Sequence, residues 1–139
     1  MLKTVAILVA RLIFAAMFLM AASFKFVFVG MDATAAQIAA QGFPVPLVLA
    51  WVAAFFEVAL AIGFLTGLLF TQTAIVAAVY VLFLAASFHG PDKWSNNPME
   101  FGFFVDHFTF FAGLLFAAVH GPGRTMVLQP SARSHRKGD

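Results

Sequence analysis

From Val58 to Phe88 the chain carries no aspartate, glutamate, lysine or arginine. A helix rises about 1.5 Å per residue, so a bilayer core about 30 Å thick is crossed by roughly 20 apolar residues. The uncharged run is too long for one crossing and suits two joined by a tight turn. The rest of the chain is built the same way: 63% of its 139 residues are hydrophobic and 10% charged, against about half and about a quarter in soluble domains. Four apolar segments fit, which predicts an all-α polytopic membrane protein, an antiparallel four-helix transmembrane bundle.

The spans are expected at about 5–29, 46–70, 73–89 and 101–120, within a membrane domain of residues 1–123. "TQT" (Thr71 to Thr73) offers the break between the second and third, and "GPDKWSNNPME" is a turn-rich loop before the fourth. "MDATAAQIAAQGFPVP" reads either as a short surface helix N-capped by Asp32 or as a plain loop. "GPGR" stops the fourth span, and residues 124–139 are basic without periodicity, as in a disordered tail.

Lysine and arginine favour cytoplasmic loops. Lys3 and Arg11 lie at one end of the first span, and Arg124, Arg133, Arg136 and Lys137 follow the last. The other side offers Lys25 and Lys93 among Asp32, Asp92 and Glu100. Both termini are therefore expected in the cytoplasm, with Trp51 and Trp94 at the outer interface. The absence of cysteine excludes dithiol exchange, iron–sulfur ligation and thiolate nucleophiles. No GxGxxG, P-loop or HExxH is present, and the small positive charge sits at the chain ends. Nucleotide, nucleic-acid and metal sites are thus not expected.

Against this background the ionisable residues within the spans stand out, because each costs about 2.5–3.5 kcal/mol at mid-bilayer. At about 100° per residue, Ala50, Ala53, Ala61 and Phe64 share the face of Glu57. Ala59, Gly63 and Gly67 form a small-residue stripe for helix contact, and Phe55, Val58, Ile62, Leu65 and Leu69 fill the arc that suits lipid. Arg11, Ala15, Phe18, Ala22 and Lys25 form one stripe in the first span. His89 shares a face with Ala85, Leu82 and Ala78, and Asp106 aligns with Gly113, Ala117 and His120, with His107 beside it. These faces are expected to meet inside the bundle, with Lys25, His89, Asp106 and His107 in its outer half and Glu57 beneath them.

Two readings of Glu57 stand side by side: an ion pair with Arg11 or Lys25 that fixes helix register, and a proton-exchanging carboxylate beside a ligand. His89 reads as a helix-end imidazole or as part of a ligand or proton site. A haem held by His89 and His107 is disfavoured, because nothing fixes the spacing of that pair. The phenylalanines from Phe101 to Phe111 read as packing or lipid contact, with a flat pocket for a quinone ring as the alternative.

"RLIFAAMFLMAASFKF", "GFPVP", "FFEVALAIGFLTGLLF", "AASFH" and "FFAGLLFAAVHGPGR" together resemble the DoxX family of small four-span membrane proteins. Gln72 stands where such proteins often carry arginine, and His107 where asparagine is frequent. The resemblance implies a bacterial inner-membrane protein, linked in some members to quinone-dependent oxidoreductase complexes. The leading expectation is an accessory subunit of such a system, with Glu57, His89 and Lys25 at a quinone site and Arg11, Asp106 and His107 as further candidates. A non-catalytic scaffold for membrane partners is the alternative. A small transporter would need the chain to oligomerise, since four spans leave little room for a pore.

Overall fold

The computed structural model of the chain describes residues 2–128. All regular structure among them is helical: α1 (Leu2–Ser23), α2 (Met31–Ala40), α3 (Pro46–Thr66), α4 (Phe70–Phe88) and α5 (Pro98–His120). α1 runs on into a π-helical turn, Phe24–Phe28, and a short 3-10 turn, Pro91–Lys93, precedes α5. Four helices are long and apolar enough to span a membrane. They alternate in direction, and the short α2 lies across the end where α1 stops and α3 begins, packed on α3 through Thr34, Ala35 and Ile38.

Local sequence explains the boundaries. Proline occupies the first turn of α3 and α5, where its missing N–H leaves no intrahelical bond unmade. Asn97 caps α5 by accepting a hydrogen bond from the Met99 N–H at 3.1 Å. Gly30, rather than Asp32, is the N-cap of α2; Asp32 lies in its first turn.

The break between the second and third spans falls earlier than "TQT". α3 ends at Thr66, and Gly67 takes the left-handed conformation at φ +69°, which a residue lacking Cβ adopts without cost. Leu69 is also left-handed, and α4 starts at Phe70, so Thr71–Thr73 form its first turn. A glycine that closes a helix outranks three polar residues that a helix end accepts equally well.

The core contains side chains from all four long helices: Ala15 and Phe18 of α1, Leu60 and Phe64 of α3, Ala74 and Val81 of α4, and Leu114 of α5. Phe64 stacks on Phe18 at 5.9 Å and meets Phe70 edge-on at 5.6 Å. α1 packs chiefly on α3, and α5 on α4. The expected stripe of α1 is buried at Arg11, Ala15, Phe18 and Ala22, with Lys25 at its end in the π turn. Phe55, Ile62, Leu65 and Leu69 point outward as expected for lipid-facing residues.

Of the small-residue stripe, Gly63 alone makes the expected close helix contact. Ala59 is exposed. Gly63 packs so closely on Thr73 that a Cβ would come within 2.6 Å of its Oγ1, and Gly67 belongs to the turn. The expected face of α5 also shifts. Asp106 and His120 are exposed, and Leu114 is the buried residue of that helix. A single apolar helix rich in phenylalanine gives little signal for rotation, because lipid and core accept the same residues.

Candidate functional site: a buried carboxylate beside a ring-sized cavity

Glu57 lies midway along α3 and is 1% exposed. Lys25 reaches it from the π turn of α1, its Nζ donating to Oε1 at 2.8 Å and to Oε2 at 2.9 Å. The Tyr80 hydroxyl of α4 donates to Oε1 at 2.8 Å. The π turn, marked by the Val29 N–H donating five residues back to the Phe24 carbonyl, is a device often found at functional sites. Here it sits where Lys25 must turn from the end of α1 into the bundle. The lysine also lies 3.4 Å from the Ala21 carbonyl.

Beside the carboxylate is a cavity of about 130 Å³, walled by Phe14 and Phe18 of α1, Tyr80 of α4 and His107, Phe110 and Leu114 of α5. An apolar cavity of about 150 Å³ holds a benzene ring, so the space matches one six-membered ring. The cavity lies where α1 and α5 scarcely touch. A second hollow of about 220 Å³ lies along the same seam, between Arg11 and His120, and Phe14 lines both. The Phe14 ring is packed against Gly113, where an added Cβ would stand 3.2 Å from it.

His107 donates from Nδ1 to the Phe103 carbonyl one turn back, at 2.7 Å. Its ring lies 4.9 Å from that of His89, centroid to centroid. His89 in turn bonds through Nδ1 to Glu100 Oε2 at 2.5 Å, and the Trp94 indole N–H donates to the His89 carbonyl at 2.9 Å. A line of titratable side chains thus runs from the cavity wall to the α4–α5 loop: His107, His89, Glu100.

Of the six residues expected at the site, Glu57 and His107 line the cavity, Lys25 stands behind Glu57 in its ion pair, and His89 stands behind His107. Asp106 points away and makes no hydrogen bond or ion pair among the described residues. Arg11 belongs elsewhere, about two helical turns along α3 from Glu57. It is 2% exposed, and each of its five N–H groups meets a backbone carbonyl: Nε to Phe64, one terminal nitrogen to Pro122 and Thr125, the other to Leu65 and Met126, at 2.8–3.1 Å. The guanidinium closes the C-terminal end of α3, where carbonyls lack helical partners, and ties it to the segment after α5. The Leu128 N–H bonds the Thr66 carbonyl at 2.8 Å. Residues 124–128, expected in a disordered tail, are therefore held against the bundle, while the tail beyond, including Arg133, Arg136 and Lys137, lies outside the described residues.

Sequence reasoning missed Tyr80 and Glu100. Tyr80 did carry a signal: it is the one tyrosine in a chain with 19 phenylalanines, in the middle of a span where its O–H needs a partner. Among the described residues no cluster of three or more metal-ligating side chains occurs.

A family model described as DoxX matches residues 6–90, well over half of the chain. The chain belongs to the DoxX family. The matched part of this DoxX protein holds Arg11, Lys25, Glu57, Tyr80 and His89, whereas α5 with His107 lies beyond it. No curated protein and no solved structure matches the chain. With its four apolar helices, the DoxX protein is a multi-pass membrane protein.

Proposed function

We infer that this DoxX protein holds the ring of a lipophilic molecule, of the quinone class, in the cavity beside Glu57. In this reading it is an accessory subunit of a quinone-linked oxidoreductase in the bacterial inner membrane, with both termini in the cytoplasm. The observation that carries the ring site is the coincidence of ring-sized space, three polar side chains and an edge facing lipid at the α1–α5 seam. Aromatic walls suit a flat ring, Glu57, Tyr80 and His107 put polar atoms within reach of its substituents, and the seam suits entry from the bilayer. The distribution of basic residues supports the orientation.

The test is chemical. Wild-type protein purified in mild detergent should carry prenylated quinone on solvent extraction and mass spectrometry. Ala21→Phe, which fills the cavity from α1 and keeps both charged side chains of the ion pair, should remove it, and Glu57→Gln should reduce it. Quinone content unchanged in both variants would end this reading.

One observation favours a second reading. Both oxygens of Glu57 are already hydrogen-bonded, which suits a polar core that specifies helix register in a non-catalytic scaffold for membrane partners. On that reading, Lys25→Met combined with Glu57→Gln weakens the fold and leaves function in cells intact.

A further inference from the structure

Any lipophile reaches the Glu57 cavity from hydrocarbon, and this limits what the cavity can select. Apolar walls offer a ligand little that lipid tails do not already give. A polar group leaving hydrocarbon, by contrast, gains a hydrogen bond with no competing water. Selection therefore depends on which donors and acceptors at the wall are still unused.

The polar side chains lining the cavity are Glu57, Tyr80 and His107. The single O–H of Tyr80 is directed to Glu57, and the Lys25 ammonium behind them serves both carboxylate oxygens and the Ala21 carbonyl. A carbonyl can only accept, so the proton between His107 and Phe103 lies on Nδ1. In the neutral imidazole this makes Nε2 an acceptor. Glu57 Oε2 accepts one hydrogen bond and has a second lone pair. Every donor at the wall is engaged, and the capacity that remains is acceptor capacity, on α3 from one side and on α5 from the other.

We propose that the cavity selects a ring bearing a hydroxyl donor, a phenol or hydroquinone head, over the same ring carrying a carbonyl or another group without a donor. Glu57 Oε2 and His107 Nε2 are the accepting atoms. This rests on the ring-site reading above and narrows it to the hydroxylated form. A carbonyl oxygen in the same place would face lone pairs on both sides and gain no bond on leaving lipid.

Two probes separate the ideas: a para-alkylphenol and the para-alkylfluorobenzene of equal chain length, which has a closely similar shape and no O–H. Binding is measured by calorimetry on detergent-solubilised full-length protein at pH about 8, above the usual imidazole pKa of about 6.5. The phenol should bind at least about tenfold more tightly, the worth of a charge-assisted hydrogen bond, and His107→Phe, which leaves Glu57 Oε2 as the one acceptor, should narrow that ratio by about twofold or more. Where His107→Phe does not yield folded protein, His107→Gln, which adds an amide N–H beside its acceptor, should narrow the ratio in the same sense. Equal binding of both probes to the wild type overturns the donor preference and leaves the ring site standing. Binding of neither overturns both. An unchanged ratio in a folded His107 variant removes His107 as an acceptor and with it the proposal as stated.

Discussion

Lys25→Met should leave the Glu57 carboxylate 1% exposed with Tyr80 as its one remaining donor. Removing one partner of a buried ion pair costs about 3–5 kcal/mol, most of it the uncompensated charge that remains. The low end applies here, because the Lys25 side chain is 20% exposed at the end of its span. About 3 kcal/mol is roughly a 140-fold loss in the folding equilibrium. Glu57→Gln strands the ammonium instead. A lysine near a helix end can extend toward the membrane surface, so the cost is smaller, about 1.5 kcal/mol. Independent effects would sum to about 4.5 kcal/mol. Since the double variant has neither charge, it should lose only about 1.5 kcal/mol, giving a coupling of about 3 kcal/mol. The assay is a double-mutant cycle of reversible unfolding in mixed micelles, followed by circular dichroism. A double variant whose loss equals the sum of the single ones within about 0.5 kcal/mol would refute the claim that this pair holds α1 to α3 as charge against charge.

Arg11→Lys keeps the charge but reduces five fixed donors to three movable ones; it should cost about 2 kcal/mol or more and expose residues 122–128 to protease, and wild-type resistance would count against the carbonyl clamp. Gly63→Ala drives a Cβ to within 2.6 Å of Thr73 Oγ1, so the thermal midpoint should fall by several degrees for about 1–3 kcal/mol of overpacking, and Thr73→Ala should recover most of it. Tyr80→Phe removes one hydrogen bond to a charged group and should cost about 1.5 kcal/mol in the same unfolding assay. Asp106→Asn should change stability by less than about 0.5 kcal/mol and leave phenol binding by calorimetry unaltered, because the side chain has no partner among the described residues.

What could be read from the sequence follows from where water and lipid differ. The four spans and the inward stripe of α1 were legible because charge in a bilayer is costly, so Arg11, Glu57 and Lys25 had to turn inward wherever their helices lay. The rotation of α5 was not legible: with Phe101, Phe103, Phe108 and Phe116 all exposed and apolar, no periodicity separates the face toward α4 from the face toward lipid. The partner of Arg11 was missed for another reason. Pairing by formal charge points to Glu57, whereas the guanidinium is held by five neutral carbonyls at a helix end, and carbonyls are present at every residue. The turn at Gly67 is the reverse case, a glycine read for its smallness that matters for its left-handed backbone.

The Arg11 clamp also bears on how the molecule is made. Its acceptors lie 53 and 54 residues later in the chain at Phe64 and Leu65, and 111 to 115 residues later at Pro122, Thr125 and Met126. A ribosome delivers the arginine well before any of these carbonyls exist, so α1 enters the membrane with its cation unsatisfied. Partial docking becomes available once α3 has threaded, and full closure waits for the residues after α5. The segment that follows α5 is therefore the one that completes the coordination of the first helix, and chains truncated before Pro122 would complete insertion but lack three of the five acceptors that lock them.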